Sequence, residues 1–322
     1  MFKIRIIKKI VAASFALSLL LSGCVGNVGK SEQENKNSSE GVQTGDTRMF
    51  TTVNGEVEIP VHPQRVITDC GLLGNVLALG VAPAAIEDYT ATDVSYKDLI
   101  QDIKVLEKWE PEYLMAENPD LIVTQYKDNY EQFSKIAPTV YVPIYELETE
   151  EMLSFLADAL GLGREKGKAV LDTYDAKVQD AKEKLKDTGL YQKTFSVIRV
   201  QGENEIGVRW SNNLGGQILF GALELPQTDA ALREVKAGVD WGATLSFEAV
   251  PEYMGDYILV TESDNYQLTE NNPVWRSLPA VQKGNIIVLS EPFMYLNDVY
   301  SWSAQLDLVT EELLTLVEKN GV

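Results

Sequence analysis

The stretch GREKGKAVLDTYDAKVQDAKEKLK, residues 163–186, decides how the rest of the chain divides. Leu171, Tyr174, Val178, Ala181 and Leu185 recur at offsets of three, seven, ten and fourteen, so one narrow apolar stripe faces inward along several helical turns. At 1.5 Å per residue such a helix runs roughly 36 Å, enough to lie along two small domains rather than cap one. The sequence on either side repeats. Glu112 precedes Asp120 by eight residues, and Glu248 precedes Asp256 by the same interval. Each Asp opens an apolar run that ends in Thr, DLIVT at 120–124 and DYILVT at 256–261. The pattern predicts two similar lobes divided by one long helix.

Within the first lobe, strand-like runs at 65–68, 84–86, 121–124 and 139–142 alternate with helical stretches at 71–79 and 111–117. The second of these stretches stops at Asn118-Pro119, because the residue before a proline resists the α region. Asn54-Gly55 between short β-prone runs predicts a hairpin. After the long helix the alternation restarts, with strands expected at 194–200, 205–208, 258–261 and 286–289, and helices at 215–223 and 301–317. Strands and helices at this spacing predict parallel, helix-covered sheets. The expected architecture is α/β: two Rossmann-like lobes, 49–160 and 189–322, bridged by a helix within 161–188, with a ligand cleft between the lobes.

Residues 1–23 have the three parts of a secretory signal: a basic start (Lys3, Arg5, Lys8, Lys9), an apolar run from Ile10 to Leu21 and a small-residue exit. Twelve such residues are too few to span a bilayer comfortably. The exit Leu21-Ser22-Gly23-Cys24 resembles a bacterial lipobox, which implies cleavage before Cys24 and diacylglycerol on its thiol. Two or more acyl chains anchor stably where one is marginal. Residues 24–48 are rich in Ser, Asn, Glu, Gln, Lys and Gly and are expected to form a disordered tether. With Cys24 lipidated, Cys70 has no disulfide partner, and a lone Cys beside a strand end is read first as a small buried hydrophobe and second as a nucleophile.

The chain carries a formal charge of −20, and loss of residues 1–23, with four basic side chains and no acidic one, leaves −24. That balance excludes nucleic acid, whose phosphates require basic patches. His62 is the single histidine, so no His-rich metal site can be assembled, and it is expected to be satisfied locally or to face solvent. There is no Gly-x-Ser-x-Gly elbow and no Walker loop, and Gly215-Gly216 is too short to cradle a phosphate. The residues supply no catalytic machinery and no resident cofactor.

Several short segments occur in a telling order: Ile59-Pro60 before Pro63-Gln64-Arg65-Val66, then Asn118-Pro119-Asp120-Leu121-Ile122-Val123, Ala137-Pro138-Thr139-Val140, and Lys236-Ala237-Gly238. Asn297-Asp298-Val299-Tyr300-Ser301 is similar to an Asn-Asp-Pro-Tyr-Thr segment of ferric hydroxamate binders, with Val299 in place of Pro. With the lipobox and the long helix, the chain from Phe50 to about Leu316 resembles the substrate-binding lipoproteins of ABC importers for iron siderophores, haem and cobalamin, the class III periplasmic-binding-protein type.

That resemblance implies a lipid-anchored monomer on the extracytoplasmic face of the membrane. It would bind an iron(III)-siderophore, hydroxamate or citrate-type, and deliver it to a permease and its ATPase. A haem or corrinoid receptor on the same fold, with Tyr126 or Tyr295 as an axial candidate for haem, and a surface-anchored sensor or enzyme are the alternatives. The resemblance places permease-docking glutamates at Glu112 and Glu248, which otherwise read as first-turn glutamates favoured by a helix dipole. For the ligand it implies Arg199, Arg209, Trp210, Lys108, Trp109, Tyr126, Trp241 and Tyr295. Arg199 lies in the apolar strand FSVIRV, where a charge is costly unless it emerges at the cleft or meets an ionic partner. Each aromatic is open to a reading as core packing.

Overall fold

Short runs that are apolar on both faces build two sheets in the computed structural model, which describes residues 46–88, 95–210, 214–239, 241–262, 265–269 and 271–320. A hairpin of β1 (Thr47–Thr52) and β2 (Gly55–Pro60) precedes the first sheet and turns at Asn54-Gly55. Gly55, at φ 106°, occupies the left-handed region that the turn requires. The first sheet comprises β3 (Val66–Thr68), β4 (Ala85–Glu87), β5 (Lys104–Leu106), β6 (Leu121–Thr124) and β7 (Thr139–Tyr141). These strands are all parallel, in the order β5-β4-β3-β6-β7. The second sheet comprises β8 (Phe195–Gly202), β9 (Glu205–Arg209), β10 (Gly242–Ser246), β11 (Tyr257–Glu262) and β12 (Ile286–Ser290). Its order is β10-β9-β8-β11-β12, the same sequence of positions, except that β9 runs antiparallel to β8 and β10. In each sheet the first strand is central, and the order reverses beside it, at β3/β6 and β8/β11.

The repeat has a physical cause. Asp120, just ahead of β6, accepts hydrogen bonds from the backbone N–H groups of Gln64 at 2.7 Å and Arg65 at 2.9 Å, which lead into β3. Asp256, just ahead of β11, accepts from the Thr194 N–H at 3.0 Å and the Thr194 hydroxyl at 3.3 Å, which lead into β8. Each carboxylate pins the entry of one central strand to the entry of its neighbour with charge-assisted bonds. The terminal threonines close the other end. Thr124 donates to Asp69 at 2.7 Å, and Thr261 donates to the Leu214 carbonyl at 3.1 Å.

The helix Arg164–Leu185 contributes to two cores. Val170 and Leu171 pack with Leu153, Leu156 and Val140 of the first lobe, whereas Val178, Ala181 and Leu185 pack with Leu219, Leu259 and Leu313 of the second. It is joined to the preceding helix, Thr149–Ala159, by a Schellman turn. Gly161 sits at φ 75°, its N–H donates to the Asp158 carbonyl at 2.9 Å, and Leu162 N–H donates to Ala157 O at 2.9 Å. A second strut was not foreseen. The C-terminal helix, Val299–Asn320, begins two residues earlier than its periodicity indicates, and its first turn is seated in the first lobe. Val299 belongs to that lobe's core and its N–H donates to Asn75 Oδ1 at 3.1 Å, while Leu306, Val309 and Leu313 belong to the other core.

Other corrections are local. Residues 1–23 with the proposed signal and the tether residues before 46, Cys24 included, lie outside the described residues. Thr47 and Arg48 belong to the folded hairpin instead of the tether: Arg48 pairs with Asp158 at 3.1 Å and lies 5.1 Å from the Phe50 ring centroid. The helix expected over 215–223 is a π-helix at Gln217–Ala222. Strands β5 and β10 and the helices Thr149–Ala159 and Asp229–Lys236 were missed.

Gly167 is buried where the long helix crosses Thr149–Ala159, and a Cβ there collides with the Leu153 carbonyl. In an exposed helix Gly→Ala gains about 1 kcal/mol. Here backbone has to move, at a cost of about 1–3 kcal/mol. Gly167→Ala should therefore lower the midpoint of urea unfolding, and a raised midpoint would show that the two helices do not touch as described.

Candidate functional site

Doubly wound sheets bind ligands outside the carboxyl ends of their strands, where the strand order reverses. In the first lobe that position is held by Asp69, which follows β3. Its carboxylate is fully buried, caps the helix Cys70–Ala78 through Gly71 N–H at 3.1 Å, and accepts from Thr124 Oγ1 and from Gln125 N–H at 2.8 Å. Burial pushes this carboxyl up to about 6, against the lowering effect of the Thr124 and Gln125 bonds, and the nearby Glu87 charge adds to the rise. Cys70 Sγ stands 3.4 Å from the Tyr126 hydroxyl. Burial pushes the Cys70 thiol up to about 12 and moves the Tyr126 phenol upward too. A thiol so held is protonated at neutral pH, which suits the packing reading of Cys70 and not the nucleophile.

An open cavity of about 410 Å³ lies over these strand ends, lined by Glu87, Trp109, Gln125, Tyr126 and residues 127–129. It brings Trp109 and Tyr126 together. Trp109 is also committed to the core, edge-on to Phe133 with ring centroids 5.8 Å apart. Lys108 is exposed beside Glu110, 3.9 Å away.

In the second lobe Arg199 projects from β8, level with Thr261 near the end of β11. Directly opposite on β9 is Gly207, and Arg209 lies two pairs further along, opposite Val197. Residues two apart on a strand share a face, so both arginine side chains rise over a glycine that has none. A Cβ on Gly207 would come within 3.1 Å of Arg209 Nη2. Burial first, and the Arg199 charge second, lower the Arg209 guanidinium from its ordinary value. Glu291, the first residue of the short helix Glu291–Tyr295, holds Arg199 Nη2 at 2.8 Å, and Arg199 Nε is enclosed without a partner among the described residues.

Trp210 does not join this group. It is 1% exposed, donates its indole N–H to the Val239 carbonyl at 2.8 Å and stacks with Tyr253 in the core. The physical reason is strand parity: Arg209 and Trp210 are adjacent, so their side chains leave opposite faces. Trp241 is 54% exposed and lines a cavity of about 580 Å³ between the lobes, with Asn75, Tyr145, Tyr174, Gln217 and Trp302 among its walls. Tyr295 is 47% exposed.

Two residues that sequence reasoning missed support the Tyr295 segment. Gln305, buried in the C-terminal helix, donates to the carbonyls of Phe293 at 2.9 Å and Leu296 at 3.1 Å, satisfying acceptors that a short helix leaves open at its end. Its Oε1 accepts from Gln217 Nε2 at 2.8 Å, and Gln217 Oε1 in turn accepts from Gly215 N–H at 3.2 Å. Gly215, at φ 102°, allows the close packing: a Cβ there would sit 2.9 Å from Met294 Cε. Glu291 was also missed; an acidic residue two before Phe293 carries no local signal of its partner on β8.

Glu112 and Glu248 occupy equivalent positions. Each is exposed, follows the edge strand of its sheet, β5 or β10, and precedes the connection to β6 or β11. The Glu248 carboxyl is held below the usual carboxylate range by its own N–H and the Ser246 hydroxyl. Among the described residues, no three His, Cys, Asp or Glu side chains converge as a metal site, and no helix is long and apolar enough to cross a membrane. His62 is exposed.

The sequence matches the periplasmic binding protein family over residues 66–292, well over half of the chain. The chain belongs to that family. This binding protein is 30% identical over 322 aligned residues to the iron(3+)-hydroxamate-binding protein FhuD of Bacillus subtilis, an alignment that covers 96% of this chain and 99% of the relative. It is 27% identical over 313 residues to the iron(3+)-hydroxamate-binding protein YxeB of the same organism, covering 94% and 95%. Among solved structures, a FhuD-fold periplasmic binding protein component of a ferrichrome ABC transporter from Bacillus subtilis superposes with a TM-score of 0.73 at 29% identity, covering 82% of this binding protein and 99% of that chain.

Asp69 yields a pH test. Its folded value of about 6 lies above the ordinary 3.8, so the folded state binds the proton more tightly than the unfolded chain does. Its contribution to stability is fully present below about pH 4 and is lost as pH rises through about 6, by at most about 3 kcal/mol. Asp69→Asn should remove this slope. Urea unfolding between pH 4 and 7 checks it: the wild type should lose stability relative to the variant over that range, and parallel profiles would refute the assignment.

Proposed function

We propose that this periplasmic binding protein is the extracytoplasmic receptor of an ABC importer. It binds an iron(III)-siderophore of the hydroxamate or citrate type between its lobes and hands it unchanged to a membrane permease and its ATPase. The observation that carries the reading is the arginine pair over Gly207: two half-buried guanidiniums answered, among the described residues, by one carboxylate. Guanidinium donors suit the oxygen-rich surface of a ferric complex, in which the siderophore's own oxygens hold the iron. The full-length relatives named for iron(3+)-hydroxamate support the same ligand class.

Arg199 and Arg209 supply the donors, Lys108 adds a point charge, and Trp109, Tyr126, Trp241 and Tyr295 cover the apolar arms. Glu112 and Glu248 meet basic residues of the permease, one per lobe; exposed charges make a contact that forms and releases quickly. Cys24, once lipidated, holds the monomer at the membrane. The haem alternative is weakened at Tyr126, whose hydroxyl is engaged by Cys70 and whose burial opposes the phenolate that an axial bond needs. The relatives are named as binding proteins, which favours capture over turnover.

Titration of residues 25–322 with a ferric trihydroxamate should quench tryptophan fluorescence saturably, and Arg199→Ala should weaken binding about ten- to a hundredfold, the worth of a charge-assisted hydrogen bond. Absence of saturable quenching by ferric hydroxamates and ferric citrate alike would remove the receptor reading. In cells, Glu112→Ala combined with Glu248→Ala should abolish uptake while leaving affinity unchanged; a fall in affinity would mean that these glutamates serve the ligand instead.

A further inference from the structure

The charges over Gly207 do not balance. Arg199 and Arg209 share a face of β8 and β9, two residue pairs apart across the strands. Arg209 Nη1 reaches the Val208 carbonyl at 3.3 Å and has no carboxylate partner among the described residues. Among the described residues Glu291 alone answers the pair, from a position where its side chain is only 19% exposed. A carboxylate opening a five-residue helix has an ordinary reason to be there, since it complements the helix N-terminus. Its carboxylate is nevertheless turned onto Arg199 at 2.8 Å and stands beside the donors offered to the ligand.

A fixed negative charge at that point acts on ligands according to their charge. Three hydroxamates, each carrying one negative charge, neutralise Fe(III), whereas three catecholates, each carrying two, leave the complex at −3. The guanidiniums donate hydrogen bonds to the oxygens of either. Glu291 repels the second and leaves the first almost unaffected. Discrimination by a repulsive element of this kind costs little affinity for the accepted ligand and much for the rejected one. Partial burial strengthens the effect, because the repulsion is less screened than it is in water.

We propose that Glu291 is a specificity-determining residue that selects neutral ferric trihydroxamates over multiply anionic ferric complexes by setting the net charge around Arg199 and Arg209. The proposal rests on the siderophore-receptor reading and names the ligand class for that site.

The test compares dissociation constants of the full mature chain and its Glu291→Gln variant for a neutral ferric trihydroxamate, ferric citrate and a ferric tris-catecholate. The affinity gained on substitution should grow with the ligand's negative charge, from about twofold or less for the trihydroxamate to at least tenfold for the tris-catecholate, and should shrink as salt is raised. Glu291→Asp, which keeps the charge, should retain the wild-type order, and Glu291→Ala provides a second neutral variant should the Gln variant fold poorly. A gain that is the same for every ligand, or an Asp variant that behaves like Gln, overturns the role of Glu291 while leaving the receptor reading intact. Failure of the wild type to bind any of the three complexes overturns both.

Discussion

Where the two struts cross, Tyr174 of the long helix meets Trp302 of the C-terminal helix, with ring centroids 5.9 Å apart and planes at 44°. Each ring packs against the cores of both lobes. Rotation of one lobe against the other has to shear this contact together with the ties around it, including the hydrogen bonds from Lys177 to the Ser303 carbonyl and hydroxyl. Fully burying a large apolar side chain contributes about 1.5–3 kcal/mol. Pulling the first turn of the C-terminal helix out of the first lobe would expose several such groups, a large part of the roughly 5–15 kcal/mol that holds a typical domain folded. Wide hinge opening is therefore costly, and the cleft between the lobes is largely pre-formed.

The same rigidity explains what was legible in the sequence. Asp120 and Asp256 could be found by their spacing because each acts on backbone close to its own strand, and the task recurs in both sheets. The amphipathic stripe of the long helix was readable because both lobes press on the same face of it. Edge strands β5 and β10 were not: Lys104 and Val105 are exposed, and Gly242–Ser246 buries no residue fully, so neither presents the apolar run that marks a central strand.

The site was less legible than the frame. Arg199 stood out as a charge in an apolar strand, yet nothing nearby indicated Glu291, which arrives from the far end of the second sheet. Gln305 lies 88 residues from Gln217, and a buried glutamine on an amphipathic helix resembles any solvent-facing one until its partners are known. Trp210 shows a different failure, since residue type suggested a ligand platform while strand parity dictated the core. Reading Arg209 and Trp210 as a pair treated neighbours in sequence as neighbours in space, which alternation along a strand forbids.

Two lobes built on one plan carry unlike groups at the point where their strand order reverses. The first places a buried carboxyl there, Asp69, kept by three hydrogen bonds in an environment that resists its charge. The second places Arg199 there, held by Glu291, with Arg209 beside it on β9. Both arrangements are costly to the fold, and Asp69 and Arg199 lie toward the carboxyl ends of the central strands, away from the strand entries that Asp120 and Asp256 pin. Asp69 is sealed from solvent whereas Arg199 is partly exposed, so the two lobes offer unlike chemistry at equivalent places in a shared frame.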